Sequence, residues 1–135
     1  MRAPLQPLLL SLLIVASAAS EGCAARAAQA PAARWQKVAL APVADQPLLS
    51  GPPQTRGMRS GHVTLKAGEA MHRHSTNDNE ELLVFLHGRA RLQIGDEWVE
   101  AAAGEVLYIP PQTPHEVHNE ASEPLEYLYT VAPAR

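Results

Sequence analysis

Three histidines and a glutamate are the residues of this chain best suited to chemistry. His72 and His74 are separated by one residue. Because side chains on an extended strand alternate between its two faces, both imidazoles are predicted to point the same way and to reach one metal ion. Glu81 follows a polar loop and opens an apolar stretch, and His115 follows a proline-rich turn at 110–114. A metal site is therefore to be sought in these two stretches.

The two stretches resemble the two signature motifs of the cupin superfamily. In that family the first motif runs Gly, five residues, His-x-His, three or four residues, Glu, six residues and Gly. The second runs Gly, five residues, Pro-x-Gly, two residues, His, three residues and Asn. In this chain the spacing from Glu81 to Gly88 fits the first motif. The positions that fit the second are Gly104, Pro110, His115 and Asn119.

The chain departs from the family pattern at three places. Gly68 stands three residues before the first histidine instead of five, and six residues separate His74 from Glu81. Both departures change loop length, which surface connections tolerate at little cost in free energy. The third is Gln112, which stands where the family has glycine. Glycine adopts a left-handed turn freely and glutamine only under strain, so the corner is expected to differ in shape.

The resemblance covers residues 58–131 and implies an all-β fold, a double-stranded β-helix or jelly-roll barrel of about eight strands. It also implies one metal ion, bound by His72, His74, Glu81 and His115. Imidazole and carboxylate donors suit Fe, Mn, Ni, Zn, Cu or Co and leave positions open for water or substrate. Glu80 is the neighbouring alternative to Glu81, which is preferred because its distance to Gly88 fixes its place on the strand. A pocket that binds without metal is the other alternative.

The pattern of residues after Met58 independently indicates strands at short intervals. Stretches 61–66, 81–86, 97–101, 104–109, 115–119 and 125–131 are each predicted to be strands. Over 89–94 apolar and polar residues alternate strictly, which places Ala90, Leu92 and Ile94 on the buried face. Gly95 and Asp96 then form a tight hairpin turn. No window after Ala33 has the spacing of an amphipathic helix.

The N-terminal residues are predicted to direct export. Residues 1–20 have the form of a signal peptide, with the apolar stretch 8–16 followed by small residues. The mature protein would then be periplasmic or secreted. Cys23, the only cysteine, would tether the chain to a membrane if it were lipidated, although Glu21 is unusual before a lipidated cysteine. An uncleaved anchoring helix is the remaining alternative.

A tether and a proline-rich arm are predicted over 21–57, followed by the barrel domain over 58–135. Residues 35–40 look strand-like, with Trp35, Val38 and Leu40 available for packing, whereas prolines make 41–57 irregular. In small barrels of the family that the sequence resembles, such an arm often lies over a neighbouring subunit. A homodimer is therefore a hypothesis, which the oligomeric state in solution would test.

Length and charge limit the partners. The chain of 135 residues, less its signal peptide, has the length of one domain. From Pro31 onward nine Lys or Arg oppose thirteen Asp or Glu, a net charge of −4 with neutral histidines. The sequence has no basic cluster of the kind that binds nucleic acid. The expected partner is a small-molecule substrate.

Other polar residues have weaker claims to function. His62 and His87 are expected to be exposed, and His118 lies on the strand face opposite His115. Asn119 is expected to tie down a turn. Tyr127 and Tyr129 are predicted to fill the core, with a role in holding substrate as the alternative. Arg56 and Arg59 could reach a substrate carboxylate or be solvated.

Three functions fit these observations. The first is a metal-dependent oxygenase, or dioxygenase, in which Glu81 acts as ligand and general base. The second is a metal-dependent isomerase, epimerase or lyase acting on a sugar or keto acid. The third is a module that binds a small ligand without catalysis. The apolar residues that share a face with Glu81 favour the first function.

Export is tested by the intact mass of the protein from a secreting host. Cleavage is expected between Ala18 and Ala30. A mass that retains residues 1–16 would show that no cleavage occurs, and a diacylglycerol increment on Cys23 would establish the lipoprotein alternative.

Overall fold

The computed structural model describes residues 34–134, which form nine β-strands and no helix. The strands are β1 (Asp45–Ser50), β2 (Arg59–Leu65), β3 (Ala70–His74), β4 (Asn79–His87), β5 (Arg89–Ile94), β6 (Glu97–Ala102), β7 (Val106–Ile109), β8 (His115–His118) and β9 (Leu125–Pro133). Within that range, no helix is long and apolar enough to cross a membrane. The predicted signal peptide, Cys23 and part of the predicted tether lie outside the described residues, so these parts of the domain division stay predictions.

Two antiparallel sheets pack face to face. One has the strand order β1-β2-β9-β4-β7 and the other the order β3-β8-β5-β6. The buried side chains between them are aliphatic for the most part and come from both sheets: Val63, Leu65, Leu83, Phe85, Ala90, Leu92, Ala101, Ile109, Val117, Leu125 and Tyr127. Each large apolar side chain buried in this way contributes roughly 1.5–3 kcal/mol. The all-β jelly-roll fold predicted from the sequence is confirmed.

The strands expected after Met58 are confirmed. Strand β5 has the alternation that the sequence predicts, with Leu92 fully buried and Arg89 and Arg91 exposed. Gly95 has a φ of 58°, in the left-handed region that the tight turn from β5 to β6 requires.

Strand β1 overturns the expectation that 41–57 is irregular throughout. It pairs antiparallel with β2, and the register shifts between Pro47 and Leu49. Proline lacks an N–H, so it fits at a sheet edge or a bulge, and β1 occupies the edge of its sheet. The prolines therefore shape this strand without preventing it.

Residues 35–40 are also not as predicted. They form no strand, and Trp35 is 92% exposed. Apolar residues at strand-like spacing therefore do not suffice where no neighbouring strand accepts their hydrogen bonds.

His62 is buried, not exposed as predicted, whereas His87 is exposed as expected. His62 lies on the outer face of β2, with Gln46 of β1 opposite it on one side and Leu128 of β9 on the other. Its Nε2 is 3.5 Å from Oε2 of Glu126. The error follows from the missed β1, which turns β2 from an edge strand into an interior one.

Asn119 ties down a turn, as predicted. Its side chain is buried, and its Nδ2 donates to the carbonyls of Leu65 at 2.9 Å and Glu123 at 2.8 Å. Its Oδ1 accepts from the N–H of Ala121 at 3.1 Å. These bonds fix the end of β8, the strand that begins with His115.

Candidate metal centre

His74, Glu81 and His115 come together between the two sheets, and we call them the triad. His74 ends β3, Glu81 lies in β4, and His115 begins β8. One ligand atom from each lies within 4.8 Å of the others. The two histidines are cross-strand partners, with ring centroids 4.3 Å apart at an interplanar angle of 60°.

Both imidazoles of the triad are oriented by backbone carbonyls. Nδ1 of His115 is 3.0 Å from the carbonyl oxygen of Thr113, and Nδ1 of His74 is 2.8 Å from that of His72. A carbonyl oxygen can only accept, so each Nδ1 carries the proton and donates it. The lone pair of each neutral ring is then on Nε2, the arrangement in which metal-binding histidines are usually held.

Glu81 and His115 are the buried members of the triad, 5% and 1% exposed. Oε2 of Glu81 lies 3.1 Å from Nε2 of His115. Within residues 34–134, however, neither atom has a partner aligned for a hydrogen bond. Buried polar atoms are costly without partners. One carboxylate and two imidazoles, with their free atoms converging, fit a divalent transition metal.

The pKa of His115 reflects two opposing influences. Burial favours the neutral ring and lowers the pKa. The adjacent Glu81 carboxylate and the carbonyl of Thr113 stabilise the protonated ring, and together they outweigh burial. The net result is a pKa of His115 above its ordinary value, so a proton on this ring is the alternative occupant of the site.

His72 does not join the triad, although the sequence predicts it as a ligand. Met71 lies opposite Val117 and His74 opposite His115, so three steps along β3 match two along β8. This bulge breaks the alternation on which the prediction depended. Met71, not His72, lines the cavity, and the ring of His72 is exposed. Its backbone carbonyl orients His74 instead.

Glu80 and Glu81 lie on opposite faces of β4. Glu81 faces the interior, whereas Oε2 of Glu80 accepts a hydrogen bond of 3.2 Å from the hydroxyl of Tyr108. His118 is likewise outside the triad, and its ring lies 5.5 Å from that of Trp98.

A cavity of about 340 Å³ adjoins the triad. Its walls are largely apolar, with Val63, Leu83 and Val117 among them. Polar lining comes from Asp45, Arg59, Thr76, Tyr127 and Tyr129. Tyr127 is 2% exposed and belongs to the core, as predicted, but it also lines the cavity. Asp45 and Thr76 were missed by sequence reasoning, Asp45 because it lies on β1.

Gln112 keeps a left-handed conformation, with a φ of 59°, so the different corner shape expected from the replacement of glycine is not seen at this residue. Its N–H donates to the carbonyl of Asn77 at 2.7 Å, and its Nε2 donates to Oδ1 of Asp78 at 2.6 Å. These bonds join the turn before β8 to the long loop before β4. The two segments that carry His115 and Glu81 are therefore linked outside the sheets.

Comparison with known proteins agrees with this architecture. Residues 61–131 match the family model described as Cupin domain. MJ1618, an uncharacterised protein of Methanocaldococcus jannaschii, is 38% identical over 58 residues, which are 43% of this chain and 45% of that protein. The match thus spans less than half the length of this curated relative.

Solved structures resemble the chain over more of its length. A cupin protein of Bacteroides fragilis, BF4112, has a TM-score of 0.64 at 26% identity, covering 74% of this chain and 85% of that one. TT1209 from Thermus thermophilus has a TM-score of 0.60 at 26% identity, with 67% of this chain and 82% of that one covered.

Paired substitutions separate the triad from its neighbours. His74→Ala and Glu81→Gln are each expected to lower metal occupancy at least tenfold, because each removes a donor that points to the shared site. His72→Ala and Glu80→Gln are expected to leave occupancy within about twofold, because neither side chain reaches it. Metal content per chain measures the effect, and circular dichroism checks that the β fold is intact. If His72→Ala empties the site and His74→Ala does not, the assignment is reversed.

Metal binding and protonation are expected to have opposite pH dependence. In metal-free protein, the raised pKa of His115 means that its pair with Glu81 stabilises the folded state. This contribution is complete below the pKa of the unfolded chain, about 6.5, and is lost as the pH rises through the pKa of the folded state. Ligation needs neutral imidazoles, so the increase in melting temperature caused by Zn²⁺ should be large at pH 8 and vanish toward about pH 5. Differential scanning fluorimetry with and without Zn²⁺ measures both. An increment that stays constant over this range would contradict ligation by histidine.

Proposed function

The chain belongs to the cupin family, and from this premise we propose that it binds one divalent transition metal through the triad and acts as a metal-dependent dioxygenase on a small organic substrate. The observation that carries the proposal is the convergence of a buried carboxylate oxygen and a buried imidazole nitrogen without aligned partners. Fe, Mn, Ni, Zn, Cu and Co are the ions that such donors suit, and redox chemistry with oxygen favours Fe, Mn, Ni, Cu or Co.

The residues of the triad and of the cavity would have different roles in the reaction. A bound metal would supply Lewis-acid or redox chemistry at its open positions. His74 and His115 present their Nε2 lone pairs, and Glu81 offsets positive charge. A carboxylate oxygen of Glu81 could also accept a proton from a substrate hydroxyl or carbon within hydrogen-bond reach. The apolar side chains of Val63 and Leu83, which line the cavity, would pack against the apolar part of a substrate.

A metal-dependent isomerase, epimerase or lyase is the second candidate. It is favoured by the polar groups of the cavity, namely the charges of Asp45 and Arg59 and the hydroxyls of Tyr127 and Tyr129. Such groups could hold a sugar or keto acid while the metal polarises a carbonyl. The larger share of apolar lining is why we rank the dioxygenase first.

The experiment that tests the proposal combines metal binding with turnover. Protein purified without chelator is analysed for metal, and its melting temperature is followed as Mn²⁺, Fe²⁺, Ni²⁺ or Zn²⁺ is added. We expect one ion per chain and a rise of several degrees, because ligand binding to the folded state stabilises it. Oxygen uptake is then measured with a panel of flavonols, diketones and thiols, with His115→Ala as the inactive control and His72→Ala as the active one.

The results discriminate between the candidate functions. Substrate-dependent oxygen uptake that His115→Ala abolishes would support the dioxygenase. Turnover of a sugar or keto acid without oxygen consumption would favour the second candidate, and ligand binding without turnover would indicate a binding module. A melting temperature that does not change with any of these metals would contradict the metal site itself.

A further inference from the structure

Arg59 lies on the inner face of β2, in line with Glu81. Arg59 is opposite Val131 in the pairing of β2 with β9, and Val131 is opposite Glu81 in the pairing of β9 with β4. Adjacent strands are about 4.8 Å apart, so the backbones at Arg59 and Glu81 are about 10 Å apart across the cavity wall. The guanidinium and the triad can therefore contact opposite ends of one small molecule.

Tyr129 occupies space that Gly61 leaves free on the same face. Gly61 is the residue opposite Tyr129, and a Cβ atom at Gly61 would lie 2.6 Å from the Tyr129 hydroxyl oxygen. Any side chain at residue 61 would thus displace the phenol ring. The ring leans toward β2, the strand on which Arg59 lies, and both residues line the cavity. Burial and the charges of Asp45 and Glu81 raise the pKa of Tyr129, and the charge of Arg59 acts to lower it.

The phenolic groups of the cavity remain hydrogen-bond donors. Burial raises the pKa of Tyr127 far above its ordinary value, and burial also raises the pKa of Tyr129. Both hydroxyls are therefore protonated at neutral pH. Among residues 34–134, no group accepts a hydrogen bond from either hydroxyl. Each has a proton to donate to a molecule in the cavity.

Arg59 is similarly available. Within the described part of the chain its guanidinium forms no ion pair, even with Asp45, which lines the same cavity. Other arginines have partners: Arg89 pairs with Glu100 and Arg91 with Glu120. An arginine without an ion pair among the described residues and two hydroxyl donors thus line one largely apolar cavity, which suits an anion attached to an apolar body.

We propose that the cavity selects a small organic carboxylate, whose carboxylate group is bound by Arg59 and the hydroxyl of Tyr129 and whose apolar body lies against Val63 and Leu83. This rests on the proposed function, since it names the substrate class of the same site. Guanidinium and carboxylate match in geometry and form paired, charge-assisted hydrogen bonds. Arg59 is exposed, so water hydrates its guanidinium when a neutral molecule is bound, and the preference comes from the charge-assisted hydrogen bonds that only the carboxylate makes.

Benzoate and butyrate, each compared with its own amide, are the probes. Binding to the full-length chain loaded with Zn²⁺, which has no redox chemistry, is measured by calorimetry. We expect each carboxylate to bind about ten- to a hundredfold more tightly than its amide, as charge-assisted hydrogen bonds imply. Arg59→Met should abolish this preference, because it should weaken the binding of the carboxylate and leave the binding of the amide unchanged. Arg89→Met, on the outer face of β5, is the matched control and should change nothing.

Two further variants test the contacts separately. Tyr129→Phe should weaken carboxylate binding by about tenfold or less, since it removes one hydrogen bond. Asp45→Asn should strengthen it, because a negative charge leaves the cavity. A general loss of folding would weaken carboxylate binding in both variants, so opposite changes in affinity would not be explained by it.

Failure of this inference and failure of the proposed function give different results. Zn²⁺ affinity is measured first, and Arg59→Met should leave it within about twofold, because Arg59 is outside the triad. If Zn²⁺ does not bind to the unsubstituted chain, the proposed function is wrong. If Zn²⁺ binds but the preference for carboxylates is absent, or survives Arg59→Met, the recognition by Arg59 is overturned.

Discussion

The close approach of Glu81 to His115 is the constraint on which the rest of the structure depends. Burying an ionised carboxylate is unfavourable unless a charge or a set of hydrogen bonds compensates for it. The two residues belong to different sheets, so only the packed barrel brings them together. A proton on His115 or a divalent metal can each supply the compensating charge. The aliphatic core holds the sheets in place whichever of the two is present.

The position of each strand in its sheet determines how firmly each triad residue is held. β4 lies between β9 and β7, and β8 lies between β3 and β5, so Glu81 and His115 come from strands with partners on both sides. His74 ends β3, which is an edge strand. His74 is held by the carbonyl of His72 and by the loop that follows it. Gln112 fixes this loop through hydrogen bonds to Asn77 and Asp78. The left-handed conformations of Asn77 and Gln112 cost roughly 1 kcal/mol or more each, which these hydrogen bonds offset in part.

Much of the fold could be predicted from the sequence because alternation reports directly on burial. It was sufficient for β5 and for the orientation of Glu81, and Gly95 marked the hairpin turn. Alternation fails at a bulge, which no residue in 70–74 signals, and for this reason it did not predict that Met71 lines the cavity together with His74. The strand β1 was missed because its proline was interpreted without knowing that the strand lies at an edge.

The triad lies within the two sequence motifs, whereas the opposite wall of the cavity lies outside them. For this reason a metal site was easier to predict than the molecule that the cavity would bind. The two motifs contain the triad, which comes from β3, β4 and β8. They contain none of Arg59, Gly61 and Tyr129, which come from β2 and β9 and line or shape the other wall. Spacing within a motif therefore carries information about the ligand set of the triad and none about the opposite wall of the cavity. The shape of that wall depends on pairing between β2 and β9, strands far apart in sequence, where a glycine on one accommodates a phenol on the other.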